Sequence, residues 1–152
     1  MKEYKSSIKQ YSLSKNASSI LRAKITSSKD AYNYIKQFYN DDIDIYESFF
    51  LLLLNNSNNT VGYAKISQGG ITGTVVDLRI IAKYCIESLC PACILAHNHP
   101  SGKTTPSKSD KDVTKKITDG LKMLDIKVID HVILTSENGF YSFADNSEQS
   151  IS

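Results

Sequence analysis

The sequence predicts a single α/β domain, with strands and helices intermixed around one sheet. Three stretches carry that prediction. Glu47-Ser48-Phe49-Phe50-Leu51-Leu52-Leu53-Leu54 has the length and unbroken apolarity of a strand covered on both faces. Ser107 to Leu124 repeats Val113, Ile117, Leu121 and Leu124 along one helical face. Cys93 to Ala96 is a short apolar run that ends at His97-Asn98-His99-Pro100. At 152 residues the chain suits one domain with one substantial core.

Residues 1–24 are polar and rich in serine and lysine, with weak alternation from Ile8 to Leu13, and read as an arm or an edge strand. Ser27-Ser28 caps a helix from Lys29 to about Tyr39, with Ala31, Ile35 and Phe38 at helical spacing, and Asn40-Asp41-Asp42 ends it. After the strand at 47–54, Asn55 to Asn59 turn the chain into a second strand from Val61 to Ser67. Gly69-Gly70 and Gly73 loosen it, and Asp77 to Leu89 follow as a helix. Its apolar face comprises Leu78, Ile81, Ala82, Cys85 and Ile86. The strand at 93–96 leads into the histidines. After the Ser107 helix come a strand from Lys127 to Leu134, the Asn138-Gly139 turn and a short strand from Phe140 to Phe143. The domain spans 25–145, and 146–152 is a polar tail.

Composition excludes several classes. The net charge is +2 and nearly all the positive charge is lysine, with Arg22 and Arg79 the only arginines, so nucleic-acid binding is weakly supported. The lysines of the Ser107 helix form a solvated face, with Asp112–Lys116 as an i,i+4 pair. The longest apolar run, Phe49 to Leu54, is too short to span a bilayer. Met1-Lys2-Glu3-Tyr4-Lys5 lacks the apolar core of a signal peptide, and Cys85, Cys90 and Cys93 are an odd number. The expectation is a cytoplasmic protein with reduced thiols and no membrane role.

The chemistry centres on His97 and His99. Strand residues two apart point to the same face, so both imidazoles face one cavity. Pro100 and the Ser101-Gly102 turn redirect the chain, and the next helix swings its N-terminus back with Asp110 in the first turn. Two imidazoles and a carboxylate, with no fourth protein ligand, make up a catalytic zinc site that keeps a position open for water. Spacing leaves Asp110 two readings, because Ser107-x-x-Asp110 is also a capping box with Asp in the place of Glu or Gln. Glu47 likewise reads either as the base that such a site requires or as a solvated glutamate at a strand end. A nucleobase deaminase needs His-x-Glu followed by Pro-Cys-x-x-Cys, whereas Cys90-Pro91-Ala92-Cys93 precedes the histidines. These cysteines read as small core residues, and His131 as a hydrogen-bonded strand histidine more than a competing ligand.

Glu47, His97-x-His99-Pro100 and Ser107-x-x-Asp110 together resemble the JAMM motif of JAB/MPN-domain metalloproteins. Ala96 to Gly102, Leu124-Asp125-Ile126, Asp130 to Leu134 and the Tyr141-Ser142-Phe143-Ala144-Asp145 ending resemble the RadC-type branch, in a short form carrying the JAB domain alone. The resemblance covers about Ile25 to Asp145. It implies a cytidine-deaminase-like architecture, a mixed sheet flanked by helices with zinc at one end. His97, His99 and Asp110 would hold Zn²⁺ with water as the fourth ligand. Glu47 would be the general base and then the acid, and Ser107 would hydrogen-bond the oxyanion. The implied reaction is hydrolysis of a peptide or isopeptide bond in a peptide or protein substrate. Lys103-Thr104 departs from the related pattern at the rim without removing a ligand. Fewer than fifty residues precede Glu47, leaving out the helix-hairpin-helix segment of full-length relatives. The alternative reading is a DNA repair or recombination accessory protein with a structural or vestigial zinc site. Oligomeric state is not legible.

Overall fold

The computed structural model describes residues 21–69 and 75–146. The stretch from Ile8 to Leu13, Gly70, Gly73 and most of the polar tail lie outside the described residues. The elements are α1 (Ser28–Ile35), β1 (Ser48–Leu54), β2 (Thr60–Gln68), α2 (Leu78–Glu87), β3 (Ala92–Asn98), α3 (Lys108–Lys122), β4 (Lys127–Leu134), β5 (Phe140–Ser142) and α4 (Phe143–Asn146), with 3₁₀ turns at Lys36–Phe38 and Asp41–Asp44. The strands form one mixed sheet in the order β2-β1-β3-β4-β5. Only β3 and β4 are parallel, as α3 crosses between them.

Every residue of β1 and β3 is buried. Phe50, Leu52 and Leu54 face α1 together with Ile94 and Ala96. Phe49, Leu51 and Leu53 face the other way, with Cys93 and Leu95, against Ile81 of α2 and Ile117 and Leu121 of α3. The sheet is therefore covered on both sides, as the unbroken apolar run at 49–54 predicts. Cys85, Cys90 and Cys93 are free thiols buried in this second layer.

Cap chemistry sets the helix starts. Ser27 accepts from Asp30 N–H at 3.1 Å, and Asp77 accepts from Arg79 N–H at 2.9 Å. Two side chains assigned to apolar faces point to solvent instead. Ile86 is 54% exposed, because it lies about 100° round the helix from Cys85. Leu124 is 49% exposed, because α3 ends at Lys122 and the helical spiral stops before it. Asp112 pairs with Lys108 at 2.9 Å, not with Lys116. Of the arm, Ala23 accepts from Thr60 N–H at 2.8 Å and Ile25 N–H donates to Asn58 at 2.9 Å, pairing this stretch with the turn after β1. No described helix is long and apolar enough to cross a membrane.

Candidate metal centre

One end of the sheet gathers four side chains from separate parts of the chain. β1 runs antiparallel to β3, with Phe49 opposite His97, so Glu47, the residue before β1, lies beside the end of β3. His97 is the penultimate residue of β3, and His99 follows the strand's last residue, tied by its N–H to Leu134 at 2.9 Å. Asp110 lies in the first turn of α3, whose N-terminus returns to the same end.

The ligand-type atoms converge. His97 Nε2 lies 3.0 Å from His99 Nε2 and 3.2 Å from Asp110 Oδ1. His99 Nε2 lies 3.1 Å from Asp110 Oδ2. Glu47 Oε1 stands slightly back, at 3.7 Å from His97 Nε2 and 4.0 Å from His99 Nε2. These four residues form a group that can hold a metal ion. They line a cleft of about 390 Å³ whose other walls include Phe49, Val76 and Val113. Ser107, at the N-cap of α3, also lines it.

The capping box expected at Ser107 and Asp110 is present, and the same carboxylate faces both imidazoles: Oδ2 accepts Ser107 N–H at 2.8 Å and lies 3.1 Å from His99 Nε2, while Oδ1 faces His97. Burial opposes ionisation of Asp110, but the adjacent His97 and His99 imidazoles and the hydrogen bond from Ser107 N–H outweigh it and hold its pKa far below the usual carboxylate range. For His99, burial acts against the charged form, yet Asp110, the Lys103 carbonyl and Glu47 raise its pKa.

His99 also tests whether a cation fits. Its Nδ1 lies 2.7 Å from the Lys103 carbonyl oxygen, which only accepts, so Nδ1 carries a proton. Neutral His99 thus turns an Nε2 lone pair toward His97 and Asp110. Lone pairs this close need positive charge between them, from a proton or a metal. The edges of 3.0–3.2 Å between ligand atoms are near the roughly 3.3 Å of a tetrahedron with bonds of about 2.0–2.1 Å. The donor set fits a metal.

Asn98, which the sequence reading passed over, is fully buried between the two histidines. Its Oδ1 accepts Ser48 N–H at 2.8 Å, and its Nδ2 donates to the carbonyls of Ile43 at 2.6 Å and Tyr46 at 2.8 Å. It thereby clasps the backbone on both sides of Glu47. A polar residue in an otherwise apolar strand was the available signal, since such a group must find partners. His131 lies behind His97 and meets it ring to ring, with Nε2 2.7 Å from His97 Nδ1.

Fold and site define a small α/β domain with a four-residue group that could hold a metal ion at one end of its sheet. Residues 25–149 match the family described as the RadC-like JAB domain. The chain belongs to that family. It is 46% identical to a UPF0758 protein of Flavobacterium johnsoniae over 122 residues, 80% of this chain and 52% of the relative. It is 36% identical to a UPF0758 protein of Porphyromonas gingivalis over 124 residues, 82% and 54% of the two chains. With UPF0758 protein YfjY of Escherichia coli it shares 40% identity over 100 residues, 66% and 62%. The chain therefore spans about half to three-fifths of these curated relatives.

Proposed function

We propose that this domain is a zinc-dependent hydrolase of peptide or isopeptide bonds. The observation that carries the reading is a division of labour among acids. One carboxylate, Asp110, sits 3.1–3.2 Å from two imidazole nitrogens, and a second, Glu47, stands 3.7–4.0 Å from those nitrogens, just ahead of β1. His97, His99 and Asp110 are a two-nitrogen, one-oxygen set suited to zinc, with room for a fourth, non-protein ligand. Zinc in such a site polarises a carbonyl and lowers the pKa of water to about 7.

The remaining steps belong to the chain. Glu47 Oε1 takes the proton from the attacking water and delivers it to the departing nitrogen. Ser107 Oγ accepts Asp110 N–H at 3.0 Å with a lone pair, which leaves its hydroxyl hydrogen free to turn into the cleft. There it donates to the oxygen of the carbonyl under attack. Phe49, Val76 and Val113 form an apolar wall that limits water around the reacting groups.

The test combines metal analysis with cleavage of a peptide library read by mass spectrometry. Wild-type protein should carry one zinc, His97→Ala none, and Glu47→Gln one zinc without cleavage. Cleavage that persists in Glu47→Gln, or survives a chelator, overturns the reading.

A further inference from the structure

The metal reading does not use Thr114 and His131, yet both are buried and both belong to an unbroken chain of hydrogen bonds ending at His97. Thr114 Oγ1 lies 2.6 Å from the backbone carbonyl of Asp110. A carbonyl only accepts, so the single hydroxyl proton of Thr114 is committed there. Thr114 Oγ1 also lies 2.5 Å from His131 Nδ1, and at that contact it can only accept. His131 Nδ1 therefore carries a proton.

The ring of His131 is wedged between Phe49, at 5.5 Å, and Phe143, stacked at 4.9 Å. Among the described residues no carboxylate is hydrogen-bonded to either ring nitrogen, and an imidazole buried in this way stays neutral. Its Nε2 is then a bare lone pair 2.7 Å from His97 Nδ1, and that contact requires His97 to donate. The proton of neutral His97 is thus on Nδ1, and its free lone pair is on Nε2, the atom 3.2 Å from Asp110 and 3.0 Å from His99.

We infer that Thr114 and His131 are positioning residues that lock His97 in the tautomer whose Nε2 can bind metal. The opposite tautomer would place two lone pairs against each other at His131, or leave two oxygens 2.6 Å apart with no proton between them. The chain starts at the main chain of Asp110 and runs through Thr114 and His131 to His97, so the helix that carries one proposed ligand is tied to the strand that carries another without any ion. The consequence for metal affinity rests on the metal reading above. The tautomer assignment rests on the hydrogen bonds alone.

The test uses two readouts on the full chain. In ¹⁵N-histidine-labelled, metal-free wild type, long-range ¹H–¹⁵N spectra should give His97 and His131 protonated at Nδ1 and bare at Nε2. A proton on Nε2 of either neutral ring overturns the inference. Zinc affinity is then measured by competition with a chromophoric chelator. Thr114→Val, which keeps the shape and removes the acceptor, should bind zinc roughly 10–100-fold more weakly, the range for residues that orient a ligand. It should also show His97 shifted toward the other tautomer, and Thr114→Ser should restore both. An unchanged affinity in a folded Thr114→Val overturns the inference. A wild type that binds no zinc overturns the metal reading, and the tautomer spectrum then decides this one.

Discussion

Asp110 and Ser107 are joined twice: Ser107 N–H donates to Asp110 Oδ2 at 2.8 Å, and Asp110 N–H donates to Ser107 Oγ at 3.0 Å. The cap thus aims the acid before any ion arrives. Substitutions at the two positions should separate their tasks. Ser107→Ala should cost about 0.5–2 kcal/mol of stability through the lost cap. It should keep its zinc while cleavage falls roughly 10²–10³-fold, as for a lost oxyanion donor. Asp110→Asn should lose zinc affinity well beyond the roughly 10–100-fold expected of a merely supporting residue. Urea denaturation, metal analysis and initial rates check the three outcomes.

Asn98 gives a different signature. Replacing it by alanine leaves the buried Ser48 N–H unpaired, at a cost of roughly 1–3 kcal/mol, and frees the part-buried carbonyls of Ile43 and Tyr46. The histidines keep their main-chain bonds, including His99 N–H to Leu134 at 2.9 Å. Asn98→Ala should therefore melt earlier and retain stoichiometric zinc, but lose cleavage because Glu47 is no longer held opposite the ligands.

His99 should make metal uptake and apo stability respond to pH in opposite senses. Burial disfavours its charged form, but Asp110, the Lys103 carbonyl and Glu47 raise its folded pKa above the ordinary value of about 6.5. Protonated His99 then stabilises the metal-free fold below about pH 6.5, and that contribution is lost as pH rises through the folded value. Zinc needs the deprotonated nitrogen, so its affinity should fall about tenfold per pH unit below the folded value. Melts at about pH 6 and about pH 8.5, either side of the histidine range, should give a relatively stronger apo protein at the lower pH. The gain from zinc should be larger at the higher one.

Gly120 packs on Leu78, where an added Cβ would lie 2.5 Å from Leu78 Cδ2. Alanine is about 1 kcal/mol better than glycine inside a helix. Overpacking costs about 1–3 kcal/mol and should outweigh that gain. Gly120→Ala alone should destabilise by about 1 kcal/mol and become stabilising when Leu78→Ala opens the space. Denaturant midpoints of the four proteins in the cycle measure this.

Much of this architecture was legible because its signals are local. The apolar run at 49–54 announces a two-sided strand, and His97 and His99 two residues apart announce a shared cavity. His131 reads from the sequence as a hydrogen-bonded strand histidine and is one, but its partners depend on which strands become neighbours. His131 comes up behind His97 only because β4 lies parallel to β3, with Leu95 opposite His131 and Ile133 opposite His97. No spacing along the chain reports that register. Both uses of Asp110, as cap and as ligand, were legible from spacing, but how they share one carboxylate was not, because spacing does not say which way each oxygen points.

β1 offers apolar side chains to both covered faces, so greasiness alone would let it slide along its neighbours without exposing anything to water. Asn98 removes that freedom, since its grip on Ser48 and on the carbonyls of Ile43 and Tyr46 is available at a single alignment. The same amide that sets the proposed base opposite its partners therefore also tells β1 where to stop.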